Sequence, residues 1–139
     1  MKIVARVIIE ILGAPKEHVE NTMKMVVEEL EKREEVKILK KEFAEAETVK
    51  DEKLKNFWSS FVEVDLESED IESLIGICFD FLPSSIEIIE PSDFRLNSRQ
   101  VDDVLNDLLE KLHKFSMAVR NMHAENVLLK KKLDGEIKE

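Results

Sequence analysis

The chain is poor in the residues that mark many small-protein chemistries: its 139 positions hold one cysteine, three glycines, three prolines and a single glutamine. A lone thiol, Cys78, cannot close an intramolecular disulfide, which suits a reducing cytosol. The turn Gly13-Ala14-Pro15 lacks the repeated glycines of a dinucleotide or phosphate loop. No apolar run approaches the roughly 20 residues of a membrane span, and Met1 to Leu12 has no secretory cleavage pattern. Basic charge is in deficit: 21 Lys and Arg stand against 31 Asp and Glu, a formal net charge of −10. That balance argues against a phosphate backbone as the main partner. The expectation is a soluble cytoplasmic chain that binds neither nucleic acid nor membrane.

What the chain does contain is apolar bulk and paired charge. Hydrophobic residues make up 43%, enough for a core, and charged residues 37%, dominated by Lys and Glu. Such a surface is heat-tolerant, and the expectation is a thermophilic source. The length leaves room for one domain of ordinary size and an appendage.

Lys2 to Leu12 reads as a strand with apolar residues on both sides: Ile3, Ala5, Val7, Ile9 and Ile11 on one, Val4 and Ile8 on the other. Pro15 suits the first turn of a helix to about Arg33, with Val19, Met23, Val26, Val27 and Leu30 at helical spacing. Val36 to Ala44 is a second strand of mixed periodicity, and Glu45 to Asn56 a polar connection. Phe57 to Leu66 is a third strand. Ser68 is placed to cap a second helix with the stripe Ile71, Leu74, Ile75, Cys78 and Phe79, ended by Pro83. Ser85 to Glu90 is a fourth strand. The order βαββαβ over residues 1–91 is that of a ferredoxin-like α+β fold, an antiparallel sheet with both helices on one face. Because the first strand is apolar on both sides, the opposite face is expected to be covered, by a long helix or by a partner subunit.

That helix occupies residues 98–134, capped by Asn97 or Ser98. Its apolar positions follow an unbroken 4-3 spacing: Val101, Leu105, Leu108, Leu112, Phe115, Val119, Met122, Asn126, Leu129 and Leu133. Leu105, Leu112, Val119, Asn126 and Leu133 fall at heptad position a, the others at d. A buried amide at a can pair with its counterpart and fix register, so the spacing predicts a C-terminal coiled-coil helix for homo-oligomerisation, dimer or higher. Glu125 (g) can meet Lys130 (e) of a parallel partner. Met117, Val127 and Leu128 lie off the seam and suggest a larger bundle or contact with a globular domain.

Chemical motifs are sparse. Glu110 and His113 have the Glu-x-x-His spacing of bundle metal sites, yet they fall at f and b, outside the seam, and read as a solvated face. His123 (e) reads as a flank residue and His18 as a surface residue. Glu63, Asp65, Glu87 and Glu90 gather acids on one sheet face, where solvation is the ordinary explanation. Cys78 reads as inert packing. No catalytic constellation, metal site or cofactor is expected.

The run Ile11-Leu12-Gly13-Ala14-Pro15 opening a helix, within the βαββαβ order of residues 1–91, resembles the ACT domains that sense small molecules. That resemblance implies an amino-acid ligand at the surface where domains pair, near Gly13 and with His18 close by. Phrases such as Pro83-Ser84-Ser85-Ile86-Glu87-Ile88-Ile89-Glu90-Pro91 and His123-Ala124-Glu125-Asn126 also resemble the short Lys/Glu-rich archaeal proteins of unknown function. The expected role is a non-catalytic oligomeric binding or assembly protein engaging a protein partner or small ligand. The alternative is an ACT-like regulatory sensor, and an enzyme ranks third.

Overall fold

Strict alternation builds the first element. In the computed structural model, which describes residues 2–135, β1 (Ile3–Gly13) buries Ile3, Ala5, Val7 and Ile9 and turns Val4, Arg6 and Ile8 to the opposite face. Two amphipathic helices cover the buried face. α1 (Lys16–Glu31) contributes Val19, Met23, Val27 and Leu30 at i, i+4 and i+3 steps, and α2 (Ile71–Phe81) contributes Leu74 and Ile77. The core closes with Val36 and with Val62, Val64 and Leu66. Ile77, outside the expected stripe of α2, is buried at its centre, while Ile75, Cys78 and Phe79 are half-buried.

The sheet has five strands, all neighbours antiparallel. β2 (Val36–Phe43), β4 (Trp58–Ser68), β1 and β5 (Ser85–Glu90) lie in that order, and the short β3 (Glu47–Thr48) pairs with β4. β3 and a 3-10 turn at Glu52–Leu54 arise inside the segment read as a polar connection, because two residues carry no detectable periodicity. The mixed pattern of β2 has a cause: its register with β4 steps from Ile38↔Leu66 to Lys40↔Asp65, leaving Leu39 as the extra residue of a bulge. A second bulge sits in β5, where Val4↔Glu90 is followed by Ala5↔Ile88 and Ile89 is extra.

Local contacts set three boundaries, two of which differ from expectation. Pro15 is the N-cap of α1 rather than its first helical residue. β4 runs on to Ser68, which is buried and donates its hydroxyl to the Asp70 carbonyl at 2.9 Å; Asp70, not Ser68, caps α2 by accepting from the Ser73 amide at 2.7 Å. α2 ends before Pro83 as expected, its C-cap Leu82 held at φ 45° with its amide donating to the Cys78 carbonyl at 3.0 Å.

The described chain divides after Arg95 into two compact units. The second carries α3 (Ser98–Leu133), 36 residues and about 54 Å long at about 1.5 Å per residue. Asn97 starts it through a capping box with Gln100, each side chain accepting from the other's amide at 2.9 Å. No helix of the described residues is long and apolar enough to cross a membrane.

Candidate functional site

α3 presents the largest constellation of side chains without internal burial. None of its residues is buried. Along the 4-3 row, Leu105 is 50% exposed, Leu112 47%, Val119 61%, Met122 63% and Leu129 57%. Val101, Phe115 and Leu133 are exposed as well, Asn126 lies exposed between Met122 and Leu129, and only Leu108 of the row is half-buried. Met117, Val127 and Leu128, off the row, are also exposed. The polar side of the helix is stitched by Lys111–Asp107 at 3.5 Å and Lys114–Glu110 at 3.2 Å, both i,i+4 pairs. Lys130, Lys131 and Lys132 occupy the last turn, where they complement the negative end of the helix dipole. Glu110 is thus engaged by Lys114. Among the described residues no group of three His, Cys, Asp or Glu is placed to hold a metal ion.

The face of the sheet opposite α1 and α2 carries a second constellation, of which the acids alone are legible in the sequence. Arg6 sits on β1 directly across from Asp65 on β4; its Nε donates to Asp65 Oδ1 at 2.8 Å and its Nη2 to Oδ2 at 3.1 Å. Arg6 Nε also lies 2.8 Å from Glu63 Oε1. The hydrogen bond from Arg6 holds the Asp65 carboxyl below its usual range against the opposing effect of burial, with the charges of Arg6 and Lys40 adding to it. In the other direction, the Asp65 hydrogen bond raises the Arg6 guanidinium further above its ordinary value, and Glu63 and Glu87 contribute charge. Glu63, Asp65 and Glu87 do share a face, as expected, but they centre on a cation. Arg6 is paired with Asp65 and Glu63, while Glu87 lies across from it on β5, so the cation is already neutralised by acids of its own sheet. Val4 and Ile8 flank this cluster half-buried, so the face expected to be apolar has charge at its middle. In the sequence alone Arg6 is a lone charge in an apolar run. Its even position on β1, opposite an acid-rich β4, was the available signal.

The residues suggested by the ACT resemblance stand elsewhere. Gly13 ends β1 opposite Trp58, and a Cβ added there would meet Val19 Cγ2 at 3.4 Å. His18 is exposed on the first turn of α1. Neither lines the groove of about 390 Å³ formed by Lys16, Glu20 and Lys24 of α1 with Phe43, Ala44 and Ser60. Lys16 leans over the Trp58 ring at 5.2 Å and Ser60 donates to the Ala44 carbonyl at 3.1 Å, so part of this lining is already committed. Cys78 is half-buried in α2, and that burial pushes its thiol up, the direction of an unreactive packing cysteine.

An antiparallel α+β sheet unit joined to a long, exposed amphipathic helix defines the class of chain. Its membership is specific: residues 4–139 match the sequence model of the MJ0538 family, and the chain belongs to that family. The family's Methanocaldococcus-derived name accords with a small archaeal protein of unknown function. No curated protein and no solved structure matches the chain.

Proposed function

We propose that the chain is a non-catalytic cytoplasmic assembly protein, whose α3 pairs in parallel with α3 of a second copy while the sheet unit engages a protein partner or small ligand. The observation that carries this reading is the row of large apolar side chains exposed along α3. Full burial of such a side chain is worth on the order of 1.5–3 kcal/mol, of which roughly half is still to be gained at half-exposed positions, and contiguous exposed apolar surface marks an interaction site. The occupant follows from spacing: a 4-3 row with one amide at a, and with Glu125 and Lys130 at flanking positions, is complementary to itself in register. In the sheet unit, the strand order β2-β4-β1-β5 with two helices on one face supports a ferredoxin-like assignment.

Light scattering of the full-length chain at micromolar concentration tests the reading. A dimer or higher species is expected, and a monomer defeats it. The sensor alternative rests on element order and Gly13. A thermal shift with an amino acid, lost in Gly13→Trp, would replace the assembly reading with the sensor.

A further inference from the structure

The two open edges of the sheet are unlike each other, and the difference is ordered. β2 ends one side and β5 the other. On the face that carries Arg6, β2 presents Lys37 and Lys40, the cross-strand partners of Glu67 and Asp65. On the same face β5 presents Glu87 and Glu90, the partners of Arg6 and Val4. Lys40, Asp65, Arg6 and Glu87 therefore form one row across the four long strands, with charge alternating +, −, +, −. Among the described residues, neither lysine and neither glutamate of these edges belongs to an ion pair. Every residue of β5 is exposed, as is β2 from Leu39 onward.

We infer that β5 of one copy pairs with β2 of the next, extending the sheet from copy to copy head to tail. Direction permits it: each strand runs opposite to its neighbour, so β2 and β5 run opposite to one another, and a copy set alongside in the same orientation meets β5 with an antiparallel β2. Register permits it too. Two residues separate Lys37 from Lys40, one of them the extra Leu39; two separate Glu87 from Glu90, one of them the extra Ile89. Aligning Lys37 with Glu90 therefore also aligns Lys40 with Glu87, because each edge carries one extra residue between these two rows, Leu39 at the Ala5–Arg6 step and Ile89 at the Val4–Ala5 step. Ile38 then meets Ile89 and Leu39 meets Ile88, which covers apolar side chains now exposed or half-buried. The charge row continues unbroken, Glu87 of one copy followed by Lys40 of the next. Pairing of like edges is opposed: β2 on β2 brings Lys37, Lys40 and Lys41 together, and β5 on β5 crowds Glu87 and Glu90. A head-to-tail contact closes as a ring or grows as a filament. It is separate from any pairing through α3.

Charge reversal with complementation tests this in the full chain. Lys37→Glu/Lys40→Glu makes both edges acidic, and Glu87→Lys/Glu90→Lys makes both basic. Light scattering at micromolar concentration is expected to give a mass for the wild type at least twofold above that of either variant alone. Mixing the two variants in equal parts is expected to restore the larger mass. Equal masses for wild type and variants, or a mixture that stays small, overturns the contact. Circular dichroism verifies folding of each variant. If either is unfolded, the chain carrying Leu39→Cys, Ile88→Cys and Cys78→Ser decides instead. Mild oxidation should link it into a ladder of covalent multimers, and absence of the ladder overturns the inference. Three strand spacings, about 14 Å, separate the two edges within one copy, too far for an internal disulfide.

Discussion

Arg6 and Asp65 face each other across the two central strands in a two-pronged pair, with donor–acceptor distances of 2.8 Å and 3.1 Å. The pair converts a strand position that looks apolar by its neighbours into the centre of a charged sheet face. Replacing Arg6 with Ala strands Asp65, Glu63 and Glu87 side by side, and thermal melts at neutral pH should show a lower Tm. Restoring a lone charge with Arg6→Lys should recover only part of the loss, since an ammonium cannot grip both carboxylate oxygens in the fork geometry.

The same pair sets an acid limit. The folded Asp65 carboxyl titrates below its unfolded value of about 3.9, so its contribution is complete above that pH and is lost as pH falls through the folded value. Urea unfolding of wild type and Asp65→Asn should therefore differ at pH 7, and the difference should shrink as the pH is taken from about 4 downward. A gap of constant size across that range would refute the assignment.

Leu66 lies fully buried on β4, in register with Ala5 of β1 and Ile38 of β2, within the core that α1 and α2 share. Leu66→Ala should cost about 2–5 kcal/mol in denaturant unfolding, the transfer loss plus a cavity. Met25, exposed on α1, is the control, and its replacement by Ala should change stability by less than about 0.5 kcal/mol.

Leu82 holds a left-handed conformation at φ 45° with its side chain 66% exposed. A non-glycine residue there carries roughly 1–2 kcal/mol of steric strain. Leu82→Gly should raise stability by about 1 kcal/mol. A fall in the denaturant midpoint would show that the side chain contributes more than its exposure suggests.

On α3, Leu112→Glu/Val119→Glu should reduce the oligomeric mass while leaving circular dichroism of the sheet unit intact. Asn126→Ile should act oppositely, raising the Tm of the oligomer while broadening its stoichiometry. Unchanged stability and stoichiometry in Asn126→Ile would remove Asn126 from the seam.

The long elements were readable because they obey one period throughout. β1, α1 and α3 each repeat their spacing for eleven residues or more, and the structure places them within a residue or two of expectation. What escaped was set by pairing between strands. Leu39 looked out of phase because the phase changes at that residue, a fact visible only against Leu66 and Asp65. Asp70 displaced Ser68 as a cap because β4 needed Ser68 as its last rung. Arg6 acquired its meaning from residues 57 and more positions away, beyond any local window. Gly13 and His18 were linked by family resemblance, and the groove beside α1 draws on other side chains.

The bulge at Leu39 also says where this strand can be shortened. A strand counts in twos, and one residue lost from a regular stretch turns everything beyond it inside out. β2 holds a spare beat at Ile38–Leu39, so a chain lacking Leu39 would still send Lys40 and Glu42 to the charged face and Lys41 and Phe43 to the helix side. Loss of Lys37 would instead turn Ile38 outward. Length variation in this family should therefore collect at that step, where a deletion leaves every neighbouring side chain facing the side it already faces.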